Sequence, residues 1–338
     1  MNPTFYELGI TPLPTSATPT SYPALEIVYT ILTKWAPYPI FTIGFFGNTL
    51  SLLITTKQEN RHITTCVYMT ALAVIDNMFL ALWILSSSLT YHGLGDSIQD
   101  RHTFHRTLWY LFYTTVQVSR LILAAMTVDR AYAVMFPLAA RSICTVSKTI
   151  KVILFMTLIP TLVNISMFFT FDVLFIGTPD ETGLLHFPQM PWVEVFFGTW
   201  TLLIAVVIPF IIILISNIII IYGVRRAATN RSKMADGTGN NAKENHLTKM
   251  LILISVAYVI LCLPYGISEV VLKRPEVAAT YDLSSTYWRL RLLVVTFALS
   301  QISALNHVVN FYLYILGGGK HYRDDVKQVF KSCCGTKA

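Results

Sequence analysis

Seven long apolar segments constrain this chain more than any other feature of its sequence. They span approximately residues 36–56, 66–91, 108–136, 150–176, 193–224, 249–272 and 292–316. Each has the roughly 20 residues that an α-helix needs to cross a hydrocarbon core about 30 Å thick. Lipid offers no partner to backbone N–H and C=O groups, so these segments must be helices rather than isolated strands. The sequence therefore predicts an all-α membrane protein, a bundle of seven transmembrane helices.

Lysine and arginine are distributed unevenly among the connections between these segments. Sixteen lie in the first, third and fifth connections and the C-terminal stretch, against seven on the other side. Basic residues accumulate on the cytoplasmic side of a membrane. We therefore expect a multi-pass plasma-membrane protein with its N-terminus outside and its C-terminus in the cytoplasm. The net charge of +7 is then a sign of topology and not of nucleic-acid binding.

The regions outside the apolar segments have distinct compositions. Residues 1–34 are rich in proline and threonine, which predicts a flexible extracellular tail before a membrane domain at 35–316. Inside that domain, residues 225–245 form a polar linker that contains glycine and asparagine. We expect this linker to be an irregular connection between the fifth and sixth helices.

The C-terminal stretch, residues 317–338, predicts an amphipathic cytoplasmic helix that lies along the membrane surface. Its apolar face would hold Tyr322, Val326, Val329 and Phe330, with charged residues opposite. Cys333 and Cys334 stand beside basic residues at its end. They are either palmitoylation sites that anchor the helix to lipid or two reduced thiols without a role.

Most of the apolar segments contain a short sequence motif, and these motifs follow one another in a defined order. They are Gly47-Asn48 in the first, Leu72-Ala73-Val74-Ile75-Asp76 in the second, Asp129-Arg130-Ala131 at the end of the third, Pro209 in the fifth, Pro264 in the sixth and Asn310-Phe311-Tyr312-Leu313-Tyr314 in the seventh. In this order and spacing, they make the chain resemble a rhodopsin-like G-protein-coupled receptor over all seven segments. The resemblance implies a receptor that activates a heterotrimeric G protein, and not an enzyme.

The resemblance also implies a switch at the cytoplasmic end of the bundle. It assigns this role to Asp129, Arg130, Glu244, Asn217, Asn310 and Tyr314. In the family's resting state, Arg130 faces an acid on the sixth helix, and counting back from Pro264 places Glu244 there. Release of Arg130 would then let it meet a G-protein helix. The alternatives are that Asp129 and Arg130 only mark the membrane boundary, and that the others are ordinary packing residues.

Two charged residues lie in the middle of apolar segments, away from the segment ends. Asp76 falls near the bilayer midplane, where a carboxylate is costly and a functional role is the default interpretation. The resemblance places Ser119, Asn306 and Asn310 around it, which implies oxygen ligands for an allosteric sodium ion. The alternative is a protonated, hydrogen-bonded Asp76. Arg120, beside Ser119, is an intramembrane cation for which the sequence offers no partner.

The chain also departs from the family pattern. Its five cysteines, at 66, 144, 262, 333 and 334, all fall in membrane or cytoplasmic positions, so the family's outer disulfide cannot form. The outer loop at 177–191 is therefore expected to be more mobile than usual. Cys262 stands where a tryptophan is expected, Phe311 replaces a proline, and Ala131 follows the arginine. These changes keep open a receptor-like protein that signals without ligand or does not signal.

Positions that set ligand class in the family indicate a peptide. Phe112 replaces the aspartate of amine receptors and Ala304 the lysine that binds retinal. Local sequence most resembles invertebrate FMRFamide-receptor-like neuropeptide receptors, at 140–145, 162–169, 208–220, 246–251 and 305–314. The expected pocket residues are Phe112, Tyr113, Val116, Glu194, Tyr265, Glu269, Trp288 and Thr296. Glu269 is either an acidic anchor for the peptide or the partner of Lys273, four residues further on.

Two other classes of membrane protein fit the sequence less well. A channel or transporter would show a pore-lining polar series or paired broken helices. A membrane enzyme would need a convergent nucleophile or metal site, and His92, His102 and His105 lack a carboxylate or cysteine at helical spacing. A receptor remains the prediction.

Overall fold

Helices dominate the described part of this chain in the computed structural model. The structure describes residues 22–92, 98–166, 168, 171–176, 183–188, 196, 199–232, 241–271, 286–317 and 319–333. The α-helices are α1 (Pro23–Thr30), α2 (Pro37–Thr55), α3 (Thr64–His92), α4 (Ile98–Met135), α5 (Pro137–Ile143), α6 (Val146–Asn164), α7 (Ile208–Ser232), α8 (Asn241–Val271), α9 (Thr286–Ala304), α10 (Asn306–Gly317) and α11 (Gly319–Cys333). Two π-helical turns, Ile31–Trp35 and Leu203–Val207, precede α2 and α7.

The apolar helices have the lengths that a membrane bundle requires. Within the described residues, six stretches are long and apolar enough to cross a bilayer: Pro23–Thr55, Thr64–Ser88, Arg106–Met135, Val146–Asn164, Thr199–Arg226 and Leu290–Gly317. The remaining one, Ile252–Ser268 in α8, is a shorter apolar helix. These stretches follow the order of the seven sequence segments and confirm the predicted seven-helix bundle.

The bundle has an apolar exterior and a partly polar interior. Leu154 is 63% exposed, Ile218 60% and Ile260 63%, on three different helices. Asp76 and Gln117, by contrast, have no exposed surface. In water this arrangement would be unfavourable, because large apolar surfaces would contact solvent. In lipid the exposed aliphatic side chains meet hydrocarbon and the polar groups satisfy one another inside the bundle.

One apolar segment was wrongly predicted to be helical along its whole length. The fourth segment was expected to run from 150 to 176, but α6 ends at Asn164. Residues Phe171–Ile176 instead form strand β1, which pairs antiparallel with β2 (Gly183–Pro188). Hydropathy alone cannot separate a short buried strand from the end of a helix. The run of aromatic and β-branched residues in FDVLFI is typical of a strand.

Several helices extend beyond their apolar segments. α1 begins at Pro23, so residues 23–34 are helical and do not belong to a flexible tail. α7 continues to Ser232 and α8 begins at Asn241, so both ends of the 225–245 linker are helical rather than irregular. Hydropathy detects only the part of a helix that lies in lipid. Polar residues outside the bilayer can continue the same helix.

The seventh segment is divided at Leu305, between α9 and α10. This interruption forms although Phe311 replaces the family's proline. The Asn48 side-chain amide on α2 donates a 2.9 Å hydrogen bond to the backbone carbonyl of His307, in the first turn of α10. Asn48 thereby ties the first membrane helix to the position where the last one restarts.

Glycines on α2 allow the last membrane helix to approach closely. A Cβ atom on Gly44 would lie 2.6 Å from Leu80 Cδ1 and 2.8 Å from Val308 Cγ2. A Cβ atom on Gly47 would lie 3.2 Å from the Phe311 ring. The tight contact with Val308 is the harder to relieve, because a β-branched side chain in a helix has essentially one rotamer.

Gly44→Ala should therefore destabilise the bundle more than Gly47→Ala. Overpacking of this kind costs about 1–3 kcal/mol, and we expect Gly44→Ala to fall in that range. Apparent thermal unfolding of the purified protein in detergent would measure it. Gly47→Ala is the matched control on the same helix, and an equal or larger loss in that variant would contradict the predicted order.

The C-terminal helix α11 packs against the bundle. Val329 is buried, and Tyr322 and Val326 pack with it against a cluster on α2 and α10. Lys57 Nζ lies 2.8 Å from Asp325 Oδ1, joining the connection after α2 to α11. The predicted amphipathic helix therefore forms, with its apolar face on the bundle.

Candidate functional site

The start of α3 and the end of α4 place an arginine in a small hydrogen-bonded cluster. Arg130 Nη2 lies 2.8 Å from Asp129 Oδ2 and also donates a hydrogen bond to Thr64 Oγ1. Thr64 Oγ1 in turn lies 3.1 Å from Asp129 Oδ2. The Arg130 side chain remains 20% exposed. A cation held this way is positioned but still within reach of another partner.

The other residues predicted for the switch lie on the facing helices. Asn217 is half-buried on α7, and Tyr314 is buried on α10. Among the described residues, the Asn217 Oδ1 atom and the Tyr314 hydroxyl have no hydrogen-bond partner. Glu244 lies in α8, where its backbone is described but its side chain is not. The predicted pair between Arg130 and Glu244 therefore stays a prediction.

Cys144 lies next to this cluster, and burial and the charge of Asp129 both affect the pKa of its thiol. Cys144 follows α5, and its Sγ atom lies 3.9 Å from the backbone carbonyl oxygen of Asp129. Burial, reinforced by the Asp129 carboxylate, raises the pKa of the Cys144 thiol to about 11. Both effects disfavour the thiolate, so the thiol stays neutral until the pH approaches that value.

A variant that keeps Cys144 as its only cysteine should therefore be alkylated slowly at pH 8. We expect about a hundredfold less thiolate than for a thiol of pKa near 9, with the rate still rising at pH 10. Maleimide labelling between pH 7 and 10 would measure this. Asp129→Asn in the same background should speed labelling, since one of the two causes is removed. A rate that levels off near pH 9 would contradict the expectation.

A second polar cluster surrounds Asp76 in the middle of the bundle. Asp76 Oδ1 accepts a 2.7 Å hydrogen bond from Ser119 Oγ and lies 2.6 Å from His307 Nδ1. Asp76 Oδ2 accepts a 2.8 Å hydrogen bond from Asn310 Nδ2. Asp76 is 0% and His307 1% exposed. Both carboxylate oxygens thus have protein partners from two other helices.

The structure brings together part of the donor set predicted around Asp76. Ser119 and Asn310 contact the carboxylate as expected. Asn306 is buried at the start of α10, but the third described contact with Asp76 comes from the neighbouring residue His307 and not from Asn306. Sequence reasoning missed His307. Its position three residues before Asn310 puts both on one helical face, and this spacing was the available signal.

The structure also identifies partners for the intramembrane Arg120. Arg120 is only 4% exposed, and its Nη1 donates a 2.7 Å hydrogen bond to the backbone carbonyl of Ala205. Nη2 lies 3.2 Å from Ser303 Oγ on α9. The Ala205 carbonyl belongs to the π-helical turn before α7 and also accepts from the Tyr258 hydroxyl at 3.1 Å. Arg120 therefore links α4 to two other membrane helices.

The outer half of α4 presents a group of aromatic side chains. Trp109 packs against Phe112 and Tyr113, with ring centroids 5.5 and 5.7 Å apart. Val116, one turn below Phe112, joins it against a buried cluster around Phe79. On α9, Trp288 stacks with the Arg291 guanidinium, 5.3 Å from the ring centroid. Tyr265 and Thr296 are half-buried.

A continuous set of rings joins this aromatic group to the buried carboxylate. Phe112 lies 5.1 Å from Phe79 between ring centroids. Phe79 stacks on His307 at 3.9 Å with 26° between the planes, and His307 contacts Asp76. Two side chains, Phe79 and His307, therefore connect Phe112 to Asp76, and a displacement of the Phe112 ring would alter the surroundings of Asp76 through them.

Several predicted residues cannot be placed in this geometry. Glu194 and Cys334 lie outside the described residues. Glu269 in α8 and Cys333 in α11 belong to described helices, but their side chains are not described. Their roles as pocket and lipidation residues stay predictions.

Comparison with known proteins gives a consistent result. Residues 47–313 match the family described as 7 transmembrane receptor (rhodopsin family). The thyrotropin-releasing hormone receptor of Homo sapiens is 28% identical over 51% of this chain and 41% of its own length. The Gallus gallus receptor of the same name is 24% identical over 70% of this chain and 66% of its own length.

A third relative carries a different receptor name. Proteinase-activated receptor 1 of Xenopus laevis is 26% identical over 68% of this chain and 53% of its own length. The first of the relatives are matched over about two fifths of their length. The family match, by contrast, covers most of the chain and includes the residues of both polar clusters.

Proposed function

Because this chain belongs to the rhodopsin family of seven-transmembrane receptors, we propose that it is a peptide-activated receptor that transmits its signal to a heterotrimeric G protein. The observation that carries the proposal is the cluster of Arg130, Asp129 and Thr64 at the ends of α3 and α4. Its arginine is oriented by two neighbours yet partly exposed. It can therefore exchange intramolecular bonds for bonds to a docking helix.

Two incompletely bonded groups, on α7 and α10, are consistent with a second conformation. The Asn217 Oδ1 atom and the Tyr314 hydroxyl are buried without a hydrogen-bond partner among the described residues. Most buried polar groups in folded proteins are paired, so an unpaired group calls for an explanation. We propose that they find partners when the cytoplasmic ends of α7 and α8 move, after Arg130 leaves its resting contacts, Glu244 among them.

The outer aromatic group supports a peptide ligand. Trp109, Phe112, Tyr113 and Trp288 offer large, partly buried rings of the kind that bind side chains of short peptides. The relatives named as receptors for thyrotropin-releasing hormone favour a ligand of this class. Glu194 and Glu269 are the proposed acidic anchors, and the FMRFamide-like resemblance suggests amidated peptides as the first to test.

The membrane placement follows from the helices and from charge. The proposed orientation puts α11, Arg130 and the basic excess in the cytoplasm of the plasma-membrane protein. Cys333 and Cys334, at the end of α11, are proposed to carry palmitoyl chains that hold this helix at the lipid surface.

The proposal is tested by measuring G-protein activation in cells that express the full chain. Activation would be recorded first without ligand and then against a panel of short amidated peptides. A concentration-dependent response to one peptide supports the proposal. A matched line expressing Phe112→Ala should lose sensitivity to that peptide while keeping its surface expression, because the variant removes a ring from the proposed pocket.

A second candidate function is a receptor that signals without ligand. It is favoured by Cys262, which is fully buried where the family has a tryptophan, so the usual large ring is missing. High basal activation that no peptide raises would support this alternative. A silent protein at the cell surface would contradict both.

A further inference from the structure

The pairing of Asp76 with His307 bears on the ion that the family resemblance implies. Asp76 Oδ1 lies 2.6 Å from His307 Nδ1, and neither side chain is exposed. A buried carboxylate is strongly unfavourable unless a charged or hydrogen-bonding partner compensates it. In this chain the His307 side chain already occupies a partner position at Asp76 that an ion would otherwise take.

The side chains around Asp76 already occupy the positions in which a sodium ion would bind. Both oxygens of Asp76 are engaged, Oδ1 by Ser119 and His307 and Oδ2 by Asn310. A hard cation needs several oxygen ligands that are free to turn towards it. The hydroxyl of Ser119 and the amide nitrogen of Asn310 instead point their donors at the carboxylate.

His307 is also fixed in place from two sides. The Phe79 ring stacks on its imidazole at 3.9 Å, and Asn48 holds its backbone carbonyl at 2.9 Å. The imidazole therefore cannot leave Asp76 without losing its stacking on Phe79 of α3, and the backbone that carries it is held by α2. Displacement by a monovalent ion would have to overcome this packing.

A buried cation, Arg120, lies in the same core. Arg120 follows Ser119 in sequence and contacts Ser303 and the Ala205 carbonyl. The other titratable groups described around Arg120 and the Asp76–His307 pair are Tyr258, Cys262 and Tyr314, all buried. No second carboxylate is described there to offset Arg120. An added sodium ion would thus enter a region that already has a positive charge.

We infer that His307 replaces the sodium ion as the partner of Asp76, so that the resting conformation of this receptor is insensitive to sodium. The four residues predicted as ion ligands do not fit that role in this chain. His307→Ser should restore it, because a small hydroxyl side chain both removes the competing partner and leaves space beside Asp76.

Thermal unfolding of the full chain in detergent tests the inference without ligand or G protein. A result that contradicts the sodium inference is therefore distinguishable from a result that contradicts the proposed receptor function. The apparent Tm would be compared in sodium chloride and choline chloride, each at about 0.15 M, the physiological ionic strength. Wild type should unfold at the same temperature in both salts. His307→Ser should be less stable in choline and gain about 2–4 °C in sodium, as expected for binding to the folded state alone.

Two further variants make the result decisive. His307→Ala, which also removes the competing side chain, serves if the serine variant does not fold. The double variant Asp76→Asn with His307→Ser should lose the sodium response, since the carboxylate is gone. A sodium-specific rise in the wild-type Tm would overturn the inference. So would a histidine variant that folds but shows no sodium response.

Discussion

Replacing Arg130 by alanine should abolish G-protein activation and leave the amount of protein at the cell surface unchanged. The Arg130 guanidinium is partly exposed and bonds only to Asp129 and Thr64 among the described residues. The Arg130 and Asp129 side chains are only 20% and 10% exposed, so loss of the pair costs more than loss of a surface ion pair. Asp129 keeps its bond to Thr64 and is not left without a partner, so we expect the bundle to remain folded. The proposed contact with the G protein is lost completely, because alanine has neither charge nor donor.

The measurement is nucleotide exchange on the G protein, normalised to surface expression. Arg141→Ala is the matched control, because Arg141 is also basic, exposed and close to the same cytoplasmic surface. That variant should signal like wild type. Unchanged activation by Arg130→Ala would remove the switch from the proposed mechanism. A loss in both variants would show that general positive charge, and not Arg130, is needed.

Replacing Arg120 by alanine should have the largest effect on stability. The side chain fills a buried site and bonds to the Ala205 carbonyl and Ser303. Truncating a large buried side chain leaves a cavity and typically costs about 2–5 kcal/mol. The saved desolvation of the guanidinium offsets part of this. We expect the apparent Tm to fall by about 5–10 °C.

Arg120→Met separates packing from hydrogen bonding at this position. Methionine has a similar length and no charge, so it refills the cavity without the cost of burying a cation. We expect it to lose less than half as much thermal stability as alanine. An unchanged Tm in Arg120→Ala would mean that the arginine does not contribute to the packed core.

The sequence predicted the helices and the first polar contacts because these depend on local or family-wide patterns. Apolar length predicted the bundle, and the family resemblance predicted that Asp76 would meet Ser119 and Asn310. The partner of Arg120 could not be predicted, because it is a backbone carbonyl made accessible by a π-helical turn. Backbone carbonyls of this kind carry no sequence signal.

The same reasoning explains the two remaining differences. His307 was overlooked because the resemblance drew attention to Asn306, although helical spacing put His307 on the face of Asn310. Strand β1 was missed because a mainly apolar run that follows a membrane helix looks like its continuation, and without β1 its partner β2 could not be predicted. In both cases, contacts between distant parts of the chain decided the outcome.

The pairing of β1 with β2 has a consequence for how this protein matures. The two strands pair over six residue positions by backbone hydrogen bonds, and the sequence has no cysteine between Cys144 and Cys262. The arrangement of this loop consequently owes nothing to oxidative chemistry. Synthesis in a reducing environment, such as a bacterial cytoplasm or a cell-free extract with detergent, should yield the same outer surface as synthesis in a secretory pathway.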